Sequence, residues 1–139
     1  KKEKLPLPKG QILIYPCLST DFNSPSYKKF SNAPILDRKT MIWFWGNYLG
    51  KIKENPIAVP ELEEDLTNLP DTIICTAEID PLASDGIKFV KKLKDNSVNV
   101  SHIVAKNLVH GFIRFREKNS PSEHYFQLIC KEIIKIIEK

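Results

Sequence analysis

Residues 72–82, TIICTAEIDPL, combine an apolar run with an acidic loop. The first six residues, Thr72 to Ala77, form a short and almost continuously apolar run, which is typical of a β-strand buried on both faces of a parallel sheet. The pair Pro70-Asp71 precedes this run, and Asp80-Pro81 follows it. The carboxylate of Asp80 is therefore expected at the carboxyl edge of the sheet, where open α/β folds place their ligands.

Two further segments extend the sheet. Gln11 to Cys17 (QILIYPC) is a second apolar run, and Val98 to Ala105 (VNVSHIVA) alternates more, as a strand nearer a sheet edge would. Amphipathic helical patterns follow at Asp85 to Lys94 and at Ser122 to Lys139. This alternation of strand and helix predicts an α/β fold with a parallel sheet of about three strands, covering helices and right-handed crossovers.

Residues 18–69, between the first two strands, form a long insertion. It holds an aromatic helix candidate from Met41 to Leu49, followed by a proline-punctuated acidic segment. An insertion of this length after a parallel strand is more often a functional lid than a plain crossover. The segment is therefore interpreted as a lid or cap.

Composition excludes several classes of protein. The 21 Lys and Arg residues against 17 Asp and Glu give a net charge of +4, and they are spread along the chain, so nucleic acid is not indicated as a partner. No apolar stretch approaches the ~18 residues of a membrane span. Cys17, Cys75 and Cys130 lie far apart in apolar runs, which predicts buried thiols in a reducing compartment and no metal site. We expect a soluble cytoplasmic protein.

A histidine completes the chemical signal. His110 follows the third strand and precedes Gly111-Phe112. Because parallel strands end at one edge of a sheet, Asp80 and His110 are expected close together there. They could be the orienting and proton-transferring members of a Ser-His-Asp triad, with the acid before the histidine in chain order. From the residues alone two alternatives stay open, since Asp-Pro is also a common turn opener and a single histidine is often structural.

Taken together, these segments resemble the hormone-sensitive-lipase-like carboxylesterases and lipases of the α/β-hydrolase fold. ILIYPCLSTDFNSPSY is similar to the sixth strand and lid start of that family, WFWGNY to its lid helix, LPDTIICTAEIDPL to its seventh strand and acid loop, and NLVHGF to its histidine loop. The pairing of Asp80-Pro81-Leu82 with His110-Gly111-Phe112 is the specific part. The resemblance implies that residues 1–139 are a partial α/β-hydrolase domain with residues 18–69 as its lid or cap insertion.

The resemblance also implies an activity. Asp80 would accept a hydrogen bond from His110, whose other ring nitrogen would take the proton of a nucleophilic serine attacking a small acyl ester. No cofactor is needed for this chemistry. Trp43 and Phe44 in the lid helix would line the substrate pocket, with ordinary lid packing as the alternative.

The chain departs from the family pattern in two ways. Ala83-Ser84 stands where the family commonly has Arg-Asp, and Val59 stands where a serine is usual before Pro60. More importantly, neither a Gly-x-Ser-x-Gly nucleophile elbow nor a His-Gly-Gly-Gly-like oxyanion loop occurs in the sequence.

The sequence therefore resembles the C-terminal half of an esterase, which supplies the acid and the base. The partners expected are a complementary N-terminal half that carries the serine, or a second copy that pairs with an open strand edge at Ile12, Leu13 and Ile14. The alternative function is a non-catalytic α/β-hydrolase remnant that acts in association through that edge.

Overall fold

A computed structural model describes residues 6–139. Within this range the elements are, in chain order, β1 (Gly10–Ile14), α1 (Pro25–Lys29), α2 (Arg38–Leu49), β2 (Asp71–Ile79), α3 (Ala83–Asp95), β3 (Val100–Val109) and α4 (Pro121–Ile137). Two short 3-10 helices, Pro60–Leu62 and Phe112–Phe115, lie after α2 and after β3.

The three strands form one parallel sheet in the order β1-β2-β3. Gln11 lies opposite Thr72 at the start of the β1-β2 pair, and Cys75 lies opposite Ile103 in the β2-β3 pair. The α/β fold predicted from the sequence is confirmed. A register shift between Ala77 and Ile79 marks an irregularity where β2 approaches its carboxyl end.

The strand ends differ from the prediction, most of all at the carboxyl ends of β1 and β3. β1 ends at Ile14, three residues before Cys17, because Tyr15 adopts a φ of 39° and Pro16 has no N–H to donate to a ladder. β3 continues to Val109, well beyond Ala105. His110 therefore follows the strand directly instead of lying in a separate loop.

Helices cover both faces of the sheet. On one face, Ile74 of β2 packs in a buried cluster with Phe89 and Leu93 of α3. On the other face, Cys75 of β2 packs in a cluster with Ile129 of α4. Neighbouring residues of β2 thus point into two different cores, which explains why its sequence is apolar without alternation.

The contact between α3 and β2 depends on a glycine. A Cβ atom added to Gly86 would lie 2.4 Å from Cγ2 of Thr76, which is too close for any side chain. Gly86 therefore allows the first turns of α3 to lie directly against the strand that ends in Asp80. This close approach fixes the acid loop between β2 and α3.

The chain between β1 and β2 builds its own apolar cluster, in which Tyr27, Met41, Trp45 and Val59 are buried together with Leu82 of the acid loop. Asp37 caps the start of α2, since its side chain accepts a hydrogen bond from the N–H of Thr40 at 2.6 Å. The boundaries of the lid, residues 18–69, stay a prediction. Among residues 6–139, no helix combines the length and the apolar character needed to cross a membrane.

β1 pairs only with β2, so the outer edge of β1, like that of β3, has no strand beside it within residues 6–139. The three apolar side chains expected at this edge do not behave alike. Ile12 is 40% exposed, whereas Leu13 and Ile14 are half-buried against the two sheet clusters. The free edge of β1 therefore presents mainly backbone N–H and C=O groups, together with the apolar side chain of Ile12.

Candidate active site

The structure brings Asp80 and His110 together at the carboxyl edge of the sheet. Oδ2 of Asp80 lies 2.8 Å from Nδ1 of His110. Asp80 is fully buried, while the side chain of His110 is 22% exposed. Because an ionised carboxylate can only accept, Nδ1 carries the proton and donates it. Nε2 is then left with a free lone pair, as a general base requires.

The carboxylate of Asp80 is held by its own loop. Its second oxygen, Oδ1, accepts a hydrogen bond from the N–H of Leu82 at 2.9 Å. Ser26 of α1 braces the same loop, because its hydroxyl donates to the carbonyl of Pro81 at 2.5 Å and accepts from the N–H of Ser84 at 2.9 Å. The Ser84 hydroxyl in turn accepts from the N–H of Ser26 at 3.0 Å. The lid segment and the acid loop are therefore joined at this point.

His110 begins a tight turn. Gly111 adopts a φ of 74°, in the left-handed region that glycine enters without strain. The turn directs Phe112 into the cluster beneath the sheet, where it is 1% exposed. The histidine is thus fixed between the end of β3 and a buried aromatic anchor.

A cavity of about 680 Å³ opens beside His110. Its walls come from the end of β1, the lid and the acid loop, and they are mostly apolar. They include Tyr15, Pro16, Cys17, Leu36, Met41, Phe44, Trp45, Tyr48, Ile57, Ala58 and Leu82. A neutral organic group with a carbonyl near His110 is the kind of ligand that such walls accommodate.

The lid helix lines this cavity with one face. Met41, Phe44, Trp45 and Tyr48 all belong to the wall, and their spacing of three, four and seven residues places them on one side of α2. Trp43, which was expected in the pocket with Phe44, lies outside the cavity and is 62% exposed. At about 100° per residue, Trp43 lies roughly 150° around the helix axis from the middle of this group, so its side chain points away from the cavity. The helical spacing could have indicated Trp45 and Tyr48 instead.

The cysteines do not all behave as expected. Cys75 is fully buried, and burial raises the pKa of its thiol to about 12. Cys130 is half-buried. Cys17 is exposed and forms part of the cavity wall, because the chain leaves the sheet at Ile14 and carries Cys17 to the rim. The expectation of three buried thiols is therefore wrong for Cys17.

A second buried carboxylate lies close by. Asp85, in the first turn of α3, is 2% exposed, and its Oδ2 accepts hydrogen bonds from the N–H groups of Leu18 and Ser19, both at 3.1 Å. Burial raises its pKa to about 7, although those two hydrogen bonds act in the opposite direction. Sequence reasoning missed this residue, because an acidic residue in the first turn of a helix is ordinarily a solvated one.

The side chains around His110 fit acid-base chemistry. Among residues 6–139 there is no group of three or more His, Cys, Asp or Glu side chains placed to hold a metal ion. Asp80 is likewise the sole hydrogen-bond partner of the His110 side chain within that range. A buried acid, an oriented imidazole and an apolar cavity are thus what the chain presents.

Comparison with known proteins agrees with this geometry. The family model of the α/β-hydrolase fold matches residues 1–114, and the chain belongs to that family. The resemblance to its hormone-sensitive-lipase-like members is confirmed by the esterases that it matches.

Two curated relatives are esterase LipI and carboxylesterase NlhH, both from Mycobacterium tuberculosis. Esterase LipI is 38% identical over 108 residues, covering 76% of this chain and 34% of the relative. Carboxylesterase NlhH is 33% identical over 110 residues, covering 76% of this chain and 34% of the relative. The chain thus spans about a third of the length of the curated relatives it matches.

Solved structures give the same result. Carboxyl esterase 2 from the fungus Tuber melanosporum superposes with a TM-score of 0.87 at 28% identity, covering 97% of this chain and 46% of that one. The similarity therefore extends over almost the whole of the fold described above.

Proposed function

We propose that this chain supplies the acid and the base of a serine carboxylesterase. The 2.8 Å hydrogen bond between His110 and Asp80 carries the proposal, because this contact orients the base in Ser-His-Asp hydrolases. The serine is expected on a segment outside these 139 residues, since the sequence contains no nucleophile elbow. The names of two curated relatives, esterase LipI and carboxylesterase NlhH, support the same reaction.

In the proposed reaction, Nε2 of His110 takes the proton of the serine hydroxyl as the serine oxygen attacks the ester carbonyl. The imidazolium formed is stabilised by the buried carboxylate of Asp80. His110 then gives the proton to the departing alkoxide, so that an alcohol leaves and an acyl-serine remains. A water molecule, deprotonated by the same nitrogen, then attacks the acyl-serine. The bond between the acyl carbon and the serine oxygen breaks, His110 returns the proton to that oxygen, and the carboxylic acid leaves. The donors that stabilise the oxyanion are also expected outside the chain.

The cavity supports small acyl esters as substrates. Its lid wall, formed by Met41, Phe44, Trp45 and Tyr48, is apolar or aromatic and lies on the same opening as His110. An acyl group placed there would be removed from water, while its carbonyl stays near the imidazole. No cofactor takes part in this reaction.

The free edge of β1 supports an association. Beyond β2, no strand within residues 6–139 pairs with β1, and exposed strand edges recruit further strands. A complementary N-terminal half of the same fold would satisfy this edge and bring the serine to His110. Self-association would satisfy the edge without the serine, as would the non-catalytic role in which the chain acts only by association. Three free cysteines are compatible with the reducing cytoplasm as the location.

Expression of the chain together with the coding sequence upstream of Lys1 tests the proposal. The longer product should hydrolyse p-nitrophenyl butyrate and react with a fluorophosphonate probe at one serine within a Gly-x-Ser-x-Gly sequence. Peptide mass spectrometry would locate the modified residue. A folded longer product that contains such an elbow but neither hydrolyses the ester nor reacts with the probe would contradict the proposal.

A further inference from the structure

The imidazole of His110 is contacted from two directions. Asp80 bonds its Nδ1, and the ring of Tyr15 lies against it with 4.6 Å between the ring centroids and 57° between the ring planes. Tyr15 and His110 both line the cavity. Tyr15 comes from the end of β1, whereas the acid and the histidine come from the ends of β2 and β3.

Tyr15 is itself held firmly. Its backbone N–H donates to the carbonyl of Cys75 at 2.6 Å, which continues the pairing with β2 past the end of β1. Its ring meets Phe112 edge to face at 5.7 Å, so it lies between that buried side chain and His110. Burial raises the pKa of its phenol, and the Asp80 charge acts in the same direction while Arg114 opposes it.

The backbone of Tyr15 is strained. Its φ of 39° lies in the left-handed region, which disfavours bulky side chains. Glycine or asparagine would adopt this conformation more readily. An aromatic residue at a strained position beside a candidate general base suggests that the ring is retained for its contact.

We propose that Tyr15 is a positioning residue for His110. One hydrogen bond to Asp80 leaves the imidazole free to pivot about that bond and to change rotamer. The Tyr15 ring occupies the space into which the imidazole would turn, and so keeps Nδ1 on Asp80 and the Nε2 edge toward the cavity. The contact is between the two rings, and no hydrogen bond of the phenol takes part in it, so phenylalanine should replace tyrosine and leucine should not. The value of this positioning for catalysis rests on the proposed function.

The test is nuclear magnetic resonance of the 139-residue chain with ¹⁵N-labelled histidine. Long-range ¹H–¹⁵N correlation reports the His110 tautomer, and the low-field resonance of its Nδ1 proton reports the bond to Asp80. The Y15L variant should lose that resonance and show both tautomers. The Y15F variant should keep the resonance and the single tautomer of the unchanged chain.

Tyr125 gives a matched control, because its ring also packs against Phe112, at 6.3 Å, and its other ring neighbour is His124. The Y125L variant should leave the His110 signals unchanged. A folded Y15L variant with an unaltered Nδ1 resonance and tautomer would overturn the proposal, as would loss of both features in Y15F or equally in Y125L. If Y15L does not fold, the nuclear Overhauser effects between the Tyr15 and His110 rings of the unchanged chain provide the test. Their absence would also overturn the proposal. None of these readings uses ester hydrolysis, so they stand apart from the fate of the proposed function.

Discussion

Replacing Asp85 by asparagine should stabilise the protein in a pH-dependent way. The side chain is 2% exposed, and its pKa is raised from the ordinary 3.8 to about 7, with burial as the largest cause. Glu61 adds to this rise, and Lys88 together with the two backbone N–H donors opposes it. An amide oxygen can accept from the same N–H groups of Leu18 and Ser19 without carrying charge.

The direction of the pH dependence follows from the protons that the folded and unfolded chains bind. Between about pH 4 and pH 7 the folded chain holds a proton on Asp85 that the unfolded chain has released, so the free energy of unfolding falls as the pH rises through this window. At 1.36 kcal/mol for each unit of pKa, the difference between 3.8 and about 7 amounts to roughly 4 kcal/mol. In Asp85→Asn this fall in the free energy of unfolding does not occur, because the amide does not titrate. The variant should match the unchanged chain near pH 4 and exceed its stability by up to roughly 4 kcal/mol near pH 8.

Urea unfolding followed by tryptophan fluorescence measures this difference at several pH values, with Trp43 and Trp45 as probes. Asp37→Asn is the matched control with the opposite sign, because hydrogen bonds from Thr40 lower the pKa of Asp37. The control should become less stable than the unchanged chain as the pH rises toward about 4, and this deficit should stay constant at higher pH. A free energy of unfolding of Asp85→Asn that lies below that of the unchanged chain by the same amount at every pH would contradict this prediction. It would show that the hydrogen bonds of the carboxylate outweigh the cost of burying its charge.

Three further predictions concern the site and its partners. The 139-residue chain alone should hydrolyse p-nitrophenyl butyrate no faster than a background protein and should not react with a fluorophosphonate, because it carries no nucleophile elbow; stoichiometric modification of a serine would contradict this. Light scattering at micromolar concentration should show a dimer or larger species formed through the free edge of β1; a monomer with slow amide exchange from Ile12 to Tyr15 would contradict that. Ser26→Ala should lower the free energy of unfolding by about 1 to 3 kcal/mol, measured by urea unfolding, because it leaves the half-buried N–H of Ser84 without its acceptor and the carbonyl of Pro81 without its donor. An unchanged midpoint would show that these two bonds contribute no stability.

The fold could be predicted from the sequence because local patterns are strong in it. The run from Thr72 to Ala77 is apolar without alternation, and the structure shows that its side chains enter two separate cores. The same run fixes where Asp80 must lie, and the parallel arrangement brings the end of β3 beside it. The proximity of Asp80 and His110 thus follows from strand order and direction.

The surroundings of this pair could not be predicted in the same way, because they depend on where the chain turns. The positive φ of Tyr15 ends β1 early, moves Cys17 to the surface and places the Tyr15 ring on His110. No periodic pattern indicates such a turn. The burial of Asp85 depends on the return of residues 18 and 19 over α3, which is a tertiary contact. Trp43 was expected in the pocket from a resemblance in residue type. Such a resemblance does not show which side of a helix a residue lies on.

The role of His110 as the general base can be measured from the esterase activity of variants of the longer product. The value of kcat/KM for p-nitrophenyl butyrate should fall roughly 10⁴- to 10⁶-fold in His110→Ala, and by about 10⁴-fold in Asp80→Asn, which misorients the base without removing it. His124→Ala is the control, because His124 lies on α4 and its ring neighbour is Tyr125. The activity of this control should be unchanged. Full activity in a folded His110→Ala variant would show that His110 is not the general base.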